Sequence, residues 1–189
     1  MKRQLSVCFF LLNMMNINYA VSGGDLKMLA VKDYVIPKNC NFNNIELPFF
    51  SNECSPRIKG LNTGLIINAP SKVKITKNFT LNIASTYSHK PIIDLHLSKP
   101  LRNSIVFIAV NIETHIPFSG TVEDDDMEID PPDNEPVDPE ILKDKIIGGY
   151  VNIDLISVLG IPASPSKYIV YATVGPYKSN VIEIELVNN

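Results

Sequence analysis

Near the end of the chain, every other residue is apolar. From position 180 it reads Asn-Val-Ile-Glu-Ile-Glu-Leu-Val, with Ile182, Ile184 and Leu186 on one side and Glu183 and Glu185 on the other. A period of two fits a strand with one dry face and one wet face, and no helix can satisfy it. The period recurs at residues 167–174 and 149–156. It also runs through 72–84, where the apolar row of Val73 and Ile75 breaks off at Lys77 and Asn78 before resuming at Phe79, Leu81 and Ile83, which predicts a turn at Lys77 and Asn78. Residues 26–31, 64–68 and 92–97 read as further short strands. Residues 104–113 begin as an almost unbroken apolar run, which predicts a central strand. Residues 167–174 and 180–187 form the clearest hairpin, linked by Gly-Pro-Tyr-Lys-Ser with Pro176 at a turn position suited to its fixed φ. Helical signals are confined to single turns. One spans 139–143 behind Asp138 and Pro139, and the other spans 155–159 and stops at Gly160. The expectation is an all-β fold, an antiparallel sandwich of about seven to nine strands.

One stretch suggests which sandwich. Leu159-Gly-Ile-Pro-Ala-Ser-Pro-Ser-Lys-Tyr168-Ile-Val-Tyr resembles the loop-to-strand corner of immunoglobulin-like and fibronectin-like domains, strongest over residues 149–189. The resemblance implies an immunoglobulin-like β-sandwich over residues 64–189. It also implies that the Tyr168 hydroxyl returns to the backbone of the corner, a structural tyrosine. The core disulfide and Trp of antibody domains have no counterpart here, because the chain contains no Trp.

The amino terminus addresses the compartment. Residues 1–20 have the three parts of a secretory signal: Lys2 and Arg3, an apolar core over 5–15, and Ala20 at a cleavage point. The apolar core is too short to span a bilayer, so no membrane span is expected after cleavage. Cys8 lies inside that core and lacks the setting of a lipid attachment site. An exported, periplasmic or extracellular chain then keeps two cysteines, Cys40 and Cys54. In an oxidising compartment they are expected to form a disulfide that closes an Asn-rich loop within an N-terminal segment, residues 21–63. No Cys-x-x-Cys is present to suggest zinc or redox chemistry.

Charge is concentrated. Ten of the 20 acidic residues lie between Glu123 and Glu140, in a stretch with no Lys or Arg. The other ten face 15 Lys and Arg once Lys2 and Arg3 are removed with the signal, a balance of +5. The basic residues are scattered, so nucleic-acid binding does not fit. The ribbon, read as a flexible acidic loop over 119–140, is long, proline-rich and self-repelling. Its carboxylates Glu123, Asp124, Asp125, Asp126, Glu128 and Asp130 are candidates for contact with a basic partner. The same oxygens suit calcium, but the glycine turn of known calcium loops is missing.

Catalytic signals are sparse. His89 is read in a turn, His96 on a strand and His115 near a strand end, and ordinary surface histidines explain them. No nucleophile elbow, zinc-protease helix motif or phosphate loop occurs. Asn78-Phe-Thr is a glycosylation sequon, placed by its surroundings in a strand region. The expectation is a non-enzymatic exported protein that binds another protein or a surface assembly, with no cofactor. The alternatives are a secreted protease inhibitor and a calcium- or metal-binding module that uses the acidic loop.

Overall fold

The computed structural model describes residues 29–91, 97, 100–122 and 139–189. These residues build a mostly β protein. The strands are β1 (Tyr34–Val35), β2 (Arg57–Ile58), β3 (Gly64–Asn68), β4 (Lys72–Ile75), β5 (Asn82–His89), β6 (Val106–Asn111), β7 (Pro117–Thr121), β8 (Ile147–Tyr150), β9 (Ile153–Asp154), β10 (Ser166–Val174), β11 (Tyr177–Lys178) and β12 (Ile182–Asn188). The larger sheet runs β4-β12-β10-β6-β7, with β11 also on β10, and the smaller runs β3-β5-β8, with β9 also on β5. β1 and β2 pair separately. The named strand pairs are antiparallel except β12 with β4. Among the described residues no helix is long and apolar enough to cross a membrane.

The period of two sets which side chains go inside. In β12, Ile184 and Leu186 are buried, and in β10 so are Tyr168, Val170, Ala172 and Val174. In register, Tyr168 faces Ile184 and Val170 faces Ile182. These residues share one core with Leu65, Ile67 and Ile83 of the smaller sheet, so the inner faces of both sheets close on each other. Each such aliphatic side chain contributes about 1.5–3 kcal/mol relative to exposure.

The expected turn at Lys77 and Asn78 forms, yet it does not make a hairpin. β4 joins the larger sheet and β5 the smaller, so the chain crosses between layers there. β5 also runs on to His89, five residues past the expected end at Ala84. The extension is polar in sequence because Ser85 hydrogen-bonds inward to the Val151 carbonyl and Thr86 to that of Pro56. His89 therefore ends a strand, and His115 sits in the β6–β7 turn with φ 60°. Residues 117–121, whose latter part was assigned to the acidic loop, form the edge strand β7, with Pro117 at its first position where no amide is needed. The expected strand 149–156 is broken into β8 and β9, and the 26–31 strand survives among the described residues as one bridge, Leu29 with Tyr177.

Asparagine side chains join these parts. Asn180 accepts from the Ile67 amide (2.9 Å) and donates to the Ile67 carbonyl (3.0 Å), taking the place of a strand beside β3. Asn68 donates to the carbonyls of Pro37 and Cys54, and Asn82 to that of Phe42. Asn152 is fully buried between β8 and β9, where it ties Glu46 and Phe50 to Ser85. The segment closed by the cysteines is thus pinned to the smaller sheet by amide hydrogen bonds as well as by contact.

Candidate functional site on the outer face of the larger sheet

The outer face of the larger sheet departs from the usual pattern. β6 alternates Phe107 and Ala109 inward with Val106, Ile108 and Val110 outward, so both of its sides are apolar. Register places Ile108 opposite Tyr171 and Val110 opposite Ile169 of β10, and Val110 also faces Pro117 of β7. Ile169 remains 38% exposed, and Ile116, in the adjoining turn, 52%. β-branched residues side by side on an open sheet face form an apolar patch, which is more informative than a single exposed Leu.

Polar groups frame the patch. On one flank Glu185 of β12 meets Lys72 of β4 at 3.1 Å and Lys167 of β10 at 3.8 Å, linking three strands. The Lys72 hydrogen bond, with the charge of both lysines, holds the Glu185 carboxyl below its ordinary value. At the other end the Lys178 ammonium lies 4.5 Å from the centre of the Tyr171 ring. Partial burial raises the Tyr171 phenol above its ordinary value, because the phenolate would lose hydration. The patch thus combines an apolar centre, an aromatic residue and a charged rim.

No family model, curated protein or solved structure matches the chain. What the site can do is therefore read from its own residues.

The residues singled out by sequence are dispersed. Cys40 and Cys54 are joined by a disulfide, with their Cα atoms 5.3 Å apart. Tyr168 does not make the expected corner hydrogen bond. It is in phase with Val170 and Ala172, so β10 carries its ring into the core, edge-on to Phe118 at 6.2 Å. Among the described residues its hydroxyl has no hydrogen-bond partner. The corner is closed instead by the helical turn Leu155–Leu159, which Asp154 caps by accepting from Ile156 N. The same carboxylate accepts from Leu81 N, and Gly160 ends the turn in the left-handed region at φ 64°. Glu123, Asp124, Asp125, Asp126, Glu128 and Asp130 lie outside the described residues, as does His96. His89 is engaged locally, its Nδ1 3.0 Å from the Lys90 carbonyl. Among the described residues no group of three His, Cys, Asp or Glu could hold a metal ion. Asn78 of the sequon stands in an exposed turn, not in a strand.

The outer patch was visible only indirectly. Residues 104–113 predict a central strand. The structure gives β6 a neighbour on each edge and buries one of its faces, and among the described residues the second apolar row is only half-buried.

Proposed function

We propose that the chain is an exported, non-enzymatic β-sandwich of immunoglobulin-like arrangement that binds another protein through the outer face of its larger sheet. The open apolar row of Val106, Ile108 and Val110 beside Ile169 and Tyr171 carries this reading. Strand order supports the arrangement. β3, β5 and β8 take the places of A, B and E, and β12, β10, β6 and β7 those of G, F, C and C′. Under this assignment the acidic ribbon falls, in chain order, between the C′-like and E-like strands. The disulfide and the basic-apolar-small pattern of residues 1–20 support export. The reading assigns no catalytic residue and no cofactor.

The test is a double variant, Ile108→Glu with Ile169→Glu, used as bait beside the wild-type mature chain in extracts of the source cell envelope. Both side chains already touch water, so the variant keeps its far-UV spectrum and melts within a few degrees of wild type. Charges placed at the centre of an interface weaken binding by about 2 kcal/mol or more, roughly thirtyfold. Equal capture of the same protein by both baits refutes the proposal.

A further inference from the structure

We infer that the open edge of β4 is a second binding site, separate from the outer face, which accepts an extended acidic peptide as an added strand. Among the described residues β4 pairs with β12 alone. The Glu185 amide donates to the Ser71 carbonyl at 2.9 Å, which sets the phase of the ladder. The backbone groups of Ser71, Val73 and Ile75 turn toward β12, so those of Lys72 and Lys74 turn outward. Among the described residues no strand meets them.

A cleft of about 600 Å³ lies beside this edge, bounded across from β4 by Cys40, Phe42 and Asn43 of the disulfide-closed loop. That volume is within the range of about 300–1,000 Å³ typical of ligand sites. Asn82 lines the cleft and is only 7% exposed. Its Nδ2 donates to the Phe42 carbonyl at 2.9 Å, which fixes the amide's orientation. Its Oδ1 is buried without a donor. A buried acceptor left unpaired is costly. Val73, Phe79 and Phe42 supply apolar surface for alternate side chains of a bound strand.

Charge selects the occupant. Lys72 and Lys74 line the cleft, and among the described residues no carboxylate does. Lys72 is engaged by Glu185, whereas Lys74 and the neighbouring, exposed Lys77 pair with no carboxylate among the described residues. Lysines on a short edge repel the same edge of a second copy. The same lysines attract a strand that alternates acidic and apolar residues.

The experiment titrates the mature chain with a labelled peptide of about ten residues alternating Val and Glu, read by fluorescence anisotropy. Saturable binding that weakens with salt is expected. Replacing every Glu with Lys, or N-methylating the amides of one peptide edge, weakens binding at least about tenfold. Lys74→Gln, which removes only charge, costs a few-fold. Lys74→Pro also removes the outward amide and costs about tenfold or more, a change an edge position tolerates. The N-methylated peptide tests the ladder without altering the protein. Absence of binding by the parent peptide overturns the inference. Equal binding of the methylated or Lys-substituted peptide, or a Lys74→Pro chain that binds as wild type, does so too.

Discussion

Truncating Asn152 to Ala should be among the most damaging single substitutions in this fold. The side chain is fully buried and makes three hydrogen bonds to backbone. Its Oδ1 accepts from the Ser85 amide at 3.3 Å, and its Nδ2 donates to Glu46 O at 3.0 Å and Phe50 O at 2.6 Å. Ser85 is itself fully buried, so its orphaned amide costs about 1–3 kcal/mol. The two carbonyls lie nearer the surface, where water can partly replace the donor, and each loses about 0.5–1 kcal/mol. The expected destabilisation is about 2–4 kcal/mol, a large share of the roughly 5–15 kcal/mol typical of a domain. Urea unfolding of the oxidised chain, followed by circular dichroism, measures it as a lower midpoint at unchanged slope. Limited proteolysis should also cut faster within residues 41–53, because the variant releases the loop from the sheet. Asn152→Asp keeps the volume but turns the donor into an acceptor facing two carbonyls, and it should be at least as harmful at neutral pH. A loss below about 0.5 kcal/mol for Asn152→Ala, with unchanged proteolysis, refutes the hub role.

Two other perturbations follow from the same structure. Replacing Cys40 and Cys54 with Ala opens a loop of about 15 residues and should cost about 3 kcal/mol in the chain-entropy model, seen as a urea midpoint that no longer responds to reductant; a change under about 1 kcal/mol contradicts it. Lys72 holds the Glu185 carboxyl below its ordinary 4.5, so the native state favours the ionised form. The resulting stability is present above pH 4.5 and is lost as pH falls through the lower native value. The difference in melting temperature between wild type and Lys72→Gln should therefore narrow as acid is added, and a difference that persists once Glu185 is protonated rules the ion pair out as its cause.

The strands that could be read in advance are those whose inner and outer rows differ in chemistry. Ile184 and Leu186 against Glu183 and Glu185 leave β12 one way to face, and the turn at Lys77 and Asn78 shows as a polar break in an apolar row. The capped turn Leu155–Leu159 was legible from Gly160, since a left-handed end favours glycine. Where both rows are apolar, as in β6, or neither is consistently apolar, as in Ser85 to Ser88 of β5, periodicity does not tell which side is covered. Tyr168 was misread for a related reason: the motif gives its place in the chain, while its direction follows from the phase of β10.

By itself the sequence determined that the chain is built from strands and where several of them turn, because period and turn chemistry are local properties. Only the tertiary structure decided that β4 leaves β5 to lie parallel to β12, and that Asn68, Asn82, Asn152 and Asn180 act as staples. An asparagine reads as a loop residue until the backbone groups it satisfies, up to 113 positions away, are brought beside it. The half-buried outer row of β6 belongs with these, because exposure depends on what packs against a strand, and no residue of β6 encodes that.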